Sequence, residues 1–199
     1  MLIRSSPESP RLFESDWIDV LSRTPWWVIP LIWLPITGLM ISLSIDRLST
    51  SQLFGGFFTG YLIWTFSEYL LHRTLFHWIA PFRWGPRLQF ILHGVHHEFP
   101  NDCFRLVMPP ALGIIISIPF MITFRVIFGP AWFGIIVAGF FFSYLVYDMI
   151  HYTTHHLKWK NQIFQKLKSH HMLHHFSPNH KNRKYGVSST MWDRIFRTY

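Results

Sequence analysis

The sequence predicts an all-α integral membrane protein. About four transmembrane helices carry a helical, histidine-rich cap on the cytoplasmic side. Three observations predict this. Of 199 residues, 50% are hydrophobic and 14% are charged, whereas a soluble domain carries roughly 25% charge. Four stretches, 26–45, 48–67, 106–124 and 126–147, contain no Asp, Glu, Lys or Arg. Each is about as long as a helix needs to cross a bilayer, and lipid offers free amides no partner except within a helix. Finally, all 13 histidines lie outside these stretches.

Taken in order, residues 1–25 mix charges without an apolar core and do not form a signal peptide. They are expected to be a cytoplasmic N-terminal segment, with 26–199 as a single domain. Pro30 and Pro35 in the first span and Pro119 in the third are expected to kink their helices. Ser49, Thr50, Ser51 and Gln52 dilute the start of the second span, and the last two spans pack closely around Gly129 and Pro130. Two segments, 68–105 and 148–199, are left for chemistry. Residues 151–199 hold nine Lys and Arg against Asp193, while the remainder balances nine against nine. The positive-inside bias therefore puts this tail in the cytoplasm. Arg73, Arg83, Arg87 and Arg105, set against Glu98 and Asp102, put the preceding segment on the same side. A bacterial inner membrane and an endoplasmic-reticulum membrane fit equally. The basic tail reads as a topology signal that meets anionic headgroups, not as a nucleic-acid site. One cysteine, Cys103, rules out an intrachain disulfide and cysteine-ligated metal clusters. Oligomeric state is not legible.

The histidines fall into groups: His72 and His77; His93, His96 and His97; His151, His155 and His156; His170, His171, His174 and His175; and a lone His180. Residues three and four apart share a helical face. His93, His96 and His97 are thus expected to point one way, as are His171, His174 and His175, and likewise His151 and His155. His72 and His77 are five apart, so the second helix is expected to end or bulge between them. Neutral imidazoles on one face can converge on a metal. Ten are too many for one ion, so two metals are expected. Two choices stay open, His155 against His156 and His171 against His170. Glu68, Asp102 and Asp148 are the candidates to hold the far ring nitrogens. A zinc-protease HExxH is absent, and spans without histidine argue against a transporter.

The stretches E-Y-L-L-H-R-T-L-F-H (68–77), H-G-V-H-H-E-F-P-N-D (93–102), Y-D-M-I-H-Y-T-T-H-H (147–156), H-M-L-H-H-F (171–176) and Y-G-V-S-S-T-M-W-D-R-I-F (185–196) resemble the membrane-bound fatty acid hydroxylase superfamily. Within it the match is closest to the fatty acid 2-hydroxylases, the sphingolipid alpha-hydroxylases. The resemblance implies a dimetal, O₂-dependent enzyme that hydroxylates the 2-carbon of a free fatty acid or of a ceramide or sphingolipid. It implies His72, His77, His93, His96, His97, His151, His155, His171, His174 and His175 as ligands. Iron is the implied metal, and zinc fits the same nitrogens in purified protein. Many relatives carry an N-terminal haem domain. A first span starting near residue 26 leaves no room for one, so a separate haem or iron–sulfur carrier with its reductase is the expected electron donor. The lipid substrate is expected from the bilayer. Trp64, Phe66, Tyr69, Phe76, Phe82, Trp84, Phe99 and Phe104 either line its route or form an interfacial belt. No individual substrate-binding residue is legible. A sterol, alkane or carotenoid hydroxylase or desaturase would share the same metal core. A membrane zinc hydrolase is the more distant alternative, and it would work without O₂.

Overall fold

The computed structural model describes residues 10–180 and 182–199, so residues 1–9 of the expected N-terminal segment lie outside it. No strand occurs among the described residues. The helices are α1 (Asp16–Leu21), α2 (Val28–Ile45), α3 (Thr50–Leu71), α4 (Gly85–Gln89), α5 (Val95–Glu98), α6 (Pro110–His156), α7 (Gln162–Phe176) and α8 (Met191–Ile195). Two short π-helical turns, His72–Phe76 and Phe90–Gly94, lie among them.

Local chemistry sets the helix starts. The polar run that dilutes the second apolar stretch is a capping box. The Ser49 side chain accepts from the Gln52 amide, and Gln52 accepts from the Ser49 amide. α6 opens with Pro110 at its first position, where a missing N–H costs nothing. Helices α3 and α6 both run past the charge-free stretches and carry Glu68, Asp148 and His151 on their cap-side turns.

α2 and α6 are long and apolar enough to cross a membrane; α3 is not one of the two. At 47 residues, α6 is far longer than one crossing needs. Its break falls at Gly129, with φ 68° and ψ 177°, rather than at Pro119. There the chain reverses. The Phe124 and Phe140 rings lie 5.1 Å apart, and a Cβ on Gly113 would sit 3.6 Å from the Tyr144 hydroxyl. A straight helix would separate residues 113 and 144 by about 46 Å. Residues 110–128 and 130–156 therefore form a helical hairpin.

α2 turns Ile29, Trp33 and Thr37, one per turn, toward this hairpin. α3 approaches it even more closely. A Cβ on Gly139 would collide with the Phe57 carbonyl, and one on Gly60 with the Ile136 carbonyl. Trp33, Trp64, Phe140, Phe141 and Tyr144 fill the centre, with ring centroids 4.6–5.2 Å apart. The outward faces expose Leu31, Leu39, Phe54, Phe58, Ile115, Ile122 and Val126, the apolar surface that lipid would cover.

Asp19 is one of the groups that tie the N-terminal strap, residues 11–23, to the rest of the fold. Asp19 accepts from the Leu12 amide at 2.7 Å, from Arg105 at 3.0 Å and from Arg23 at 2.8 Å. Burial alone would raise this carboxyl. The amides of Leu12 and Phe13 and the guanidinia of Arg105 and Arg23 outweigh it and bring it to about 2.

Two outcomes follow from these features. Gly129→Ala puts a Cβ into a backbone region open to glycine, at a cost of about 1–3 kcal/mol. Thermal unfolding in detergent should show that loss, and an unchanged midpoint would remove Gly129 as the reversal point. The Asp19 contribution is complete above its ordinary value of 3.8 and is lost as pH falls through about 2. Asp19→Asn at neutral pH should reproduce the low-pH state, with faster intrinsic-rate-corrected hydrogen exchange at the Leu12 and Phe13 amides. Parental protection in the variant would contradict this role.

Candidate metal centre

Among the described residues, ten histidines gather into two sets of five. His72, His77, His93, His97 and His174 form one, and His96, His151, His155, His171 and His175 the other. Within each set the facing nitrogens lie within 4.8 Å of one another. These are the ten residues implied by the resemblance. His155 and His171 are inside. His156 lies outside both sets, and His170 instead meets the Asp193 carboxylate at 3.0 Å. His180 is also outside, 2.8 Å from the Ser177 hydroxyl.

The sequence grouped His93, His96 and His97 on one face; the structure divides them. The i,i+4 pair His93 and His97 serves the first set, and His96, offset around the helix, serves the second. α7 does the reverse, giving His171 and His175 to the second set and His174 to the first. Each set thus receives a pair from one box and a single residue from the other. A helix turns about 100° per residue, so a residue three along from one pair member diverges enough to reach a neighbouring point. The expected break between His72 and His77 is the π-helical turn His72–Phe76. Its wider i→i+5 repeat puts residues five apart on one face.

Imidazole nitrogens face each other at short range. In the first set, Nε2 separations are 3.0 Å for His72–His93, His93–His97 and His77–His174. In the second they are 2.9 Å for His96–His151 and His155–His171, and 3.1 Å for His171–His175. Nitrogens at right angles about an ion with bonds of about 2.1 Å lie about 3.0 Å apart, so the spacing fits metal ligation. The protonation pattern fits as well. His72 Nδ1 donates to the Tyr185 carbonyl at 2.5 Å and His174 Nδ1 to the Arg183 carbonyl at 2.7 Å. A neutral ring with its proton on Nδ1 leaves Nε2 as a bare lone pair. Burial, then the neighbouring imidazoles, holds His93, His96, His171 and His175 well below the usual histidine range, and burial brings His174 to about 4. Ring nitrogens converging this tightly, most of them held neutral by burial, could hold a metal ion in each set.

The carboxylates expected behind the imidazoles make other hydrogen bonds. Glu68 accepts from the amides of Val187 and Ser188 and from the Ser188 hydroxyl. Asp148 accepts from the Tyr144 hydroxyl at 3.0 Å, and Asp102 from the Phe104 amide at 3.0 Å. The reason is geometric: backbone carbonyls of the C-terminal segment reach His72 and His174 directly. Glu68 holds that segment in place, and so does Asp193, which accepts from the amides of Tyr185 and Gly186 and from the Thr198 hydroxyl. A backbone carbonyl leaves no residue-type signal, so sequence could not name Tyr185 or Arg183. Asp193 did stand in the quoted closing motif.

A cavity of about 420 Å³ adjoins both sets. His93, His96 and His151 share its wall with Leu106, Met108, Leu112, Tyr147 and Asp148. Of the eight aromatics proposed to line a lipid route, Phe76 borders it. Trp64 packs in the core, while Phe66 and Tyr69 pack against Phe196.

The division of the boxes makes a sharp prediction. His96→Ala and His97→Ala alter adjacent residues but should deplete different ions. Each should take metal content from about two per chain toward one, and the double variant should approach none. His180→Ala should retain both. A double variant no more depleted than either single one would contradict two separate sites.

A sequence model of the fatty acid hydroxylase family matches residues 57–198. The chain is 40% identical to the dihydroceramide fatty acyl 2-hydroxylase FAH2 of Arabidopsis thaliana, over 96% of this chain and 80% of that protein. It is 37% identical to the ceramide very long chain fatty acid hydroxylase SCS7 of Saccharomyces cerevisiae, over 92% of this chain and 48% of that one. It is 36% identical to the fatty acid 2-hydroxylase of Rattus norvegicus, over 94% and 56%. A solved structure of scs7p, with only its hydroxylase domain visible, superposes with a TM-score of 0.86 at 34% identity, covering 92% of this chain and 70% of that one. With two histidine sets of this geometry and matches of this extent, the chain belongs to the fatty acid hydroxylase family.

Proposed function

We propose that this protein is an O₂-dependent lipid hydroxylase that places a hydroxyl on the 2-carbon of an acyl chain, carried as a free fatty acid or within a ceramide or sphingolipid. The observation that carries the proposal is adjacency. An all-nitrogen double site and a largely apolar cavity share His93, His96 and His151. The relatives named for 2-hydroxylation of acyl chains support the position of attack.

In this proposal the ten clustered histidines hold two irons, and zinc can take their place in purified protein. Iron at such nitrogen sites supplies reductive activation of O₂. The stoichiometry is one C–H, one O₂, two electrons and two protons giving one C–OH and one water. The electrons come from a separate haem or iron–sulfur carrier with its reductase. The protein's own work is placement. The Tyr147 hydroxyl brings a donor to the cavity wall that His151 shares, where it can hold the acyl carbonyl end. The carbon next to that carbonyl then lies against the histidines. Leu106, Met108 and Leu112 take the tail and exclude water.

We further propose four membrane crossings, α2, α3 and the two arms of α6, with both termini and the histidine cap in the cytoplasm. The reversal at Gly129 and the basic excess of residues 151–199 support this topology. Residues 26–199 then act as one domain.

The test is lipid mass spectrometry under ¹⁸O₂ on cells making the protein with a reductant partner, beside His174→Ala. The expected product is a 2-hydroxy acyl lipid carrying one ¹⁸O, absent from the variant. An oxidised sterol, alkane or carotenoid instead would reassign the substrate. Turnover that survives without O₂ would point to a hydrolase and end the oxygenase reading.

A further inference from the structure

The cavity beside the histidines has a wall that the family match does not include. Leu12, Phe13, Ile18, Leu21 and Ser22 line it together with His93, His96 and His151, whereas the family model begins at residue 57. We propose that this N-terminal strap, residues 11–23, belongs to the substrate site: it forms the outer wall of the acyl-chain cavity, and Leu12 and Ile18 help set which chains fit. The proposal rests on the lipid-hydroxylase reading and adds a specificity element to it.

Four observations carry it. The strap is fixed in place, not merely laid on the cap. Arg105 donates to Asp19 at 3.0 Å and to the Ser22 hydroxyl at 2.6 Å, the Thr24 amide donates to the Phe104 carbonyl at 2.7 Å, and Arg87 donates to the Leu12 carbonyl. The bonds to Arg105 and Phe104 tie it to the segment that follows the His93–His97 box, and the bond from Arg87 ties it to α4, which precedes that box. Its depth is graded. Leu12 is 5% exposed and lies inside, whereas Ile18 and Leu21 stand at the rim, beside Ile115 near the start of α6. That rim adjoins the exposed apolar face of α6, at Ile114 and Ile118, so a tail leaving the cavity there passes into lipid. The size suits one chain, because ligand pockets run from roughly 300 to 1,000 Å³ and this one is about 420 Å³. Finally, α1 has two apolar sides. Ile18 and Leu21 face the cavity, while Trp17, 82% exposed, is not part of its lining. Trp17 is therefore the internal control.

A larger side chain on the wall shortens the space for the tail. Ile18→Trp, at the exposed rim where folding tolerates bulk, should shift the ratio of short to long 2-hydroxy products by about tenfold toward short, with metal content unchanged. Leu12→Ala should shift it toward long, through KM more than kcat. Trp17→Ala should leave the ratio where it was. An unchanged ratio in Ile18→Trp and Leu12→Ala, or an equal shift in Trp17→Ala, would overturn the proposal. A second measurement does not depend on turnover. In a Cys103→Ser background, a saturated long-chain 2-hydroxy fatty acid should slow maleimide labelling of Ile18→Cys but not of Trp17→Cys. Equal labelling with and without the lipid would overturn the wall. Protection at Ile18→Cys in a protein that makes no 2-hydroxy lipid would instead sink the functional reading and leave the wall standing.

Discussion

The structure depends on holding ten imidazoles with their ring nitrogens turned toward one another. Nitrogens 2.9–3.1 Å apart, in a buried site, repel unless a proton or a cation lies between them. Nothing about a helix bundle requires that arrangement, and much of the fold serves it. The π-helical turn after α3 brings His72 and His77 to one side. The hairpin in α6 returns the chain to the cap so that His151 and His155 can face α7. The C-terminal segment, pinned by Glu68 and Asp193, brings two carbonyls against His72 and His174. Burial then keeps the rings neutral, the state in which they can bind metal.

The exchange between the two boxes gives the site its rigidity. Because α5 with its preceding turn and α7 each contribute to both sets, neither can shift without disturbing both. The buried side chains of α7 are Phe164 and three histidines, and Phe76, Val95, Tyr185 and Val187 supply further apolar packing around the two sets.

How much of this was legible in the sequence varies by residue. The clustering of the histidines and the irregularity between His72 and His77 followed from spacing, because helix periodicity is a local property. The closing of α3 on α6 was not legible, because the collision of a Gly139 side chain with the Phe57 carbonyl depends on a contact far along the chain. Nor was the division of His96 from His97, since a spacing gives a face but not the number of targets in front of it. Glu68, Asp102 and Asp148 were expected behind the far ring nitrogens, whereas the structure gives them the Val187 amide, the Phe104 amide and the Tyr144 hydroxyl. Sequence ranks side chains and is silent about backbone carbonyls, and it was two carbonyls that took the role. The strap around Asp19 gave no signal because its six-residue helix is too short for a periodicity.

The central claim is that two separate all-nitrogen sites exist in one chain. An anomalous difference map from crystals of the purified protein, collected above the edge of the bound metal, tests it most directly. Two peaks are expected, one within the His72, His77, His93, His97 and His174 set and one within the His96, His151, His155, His171 and His175 set. A single peak shared between the sets, or a peak held by Glu68, Asp102 or Asp148, would contradict it.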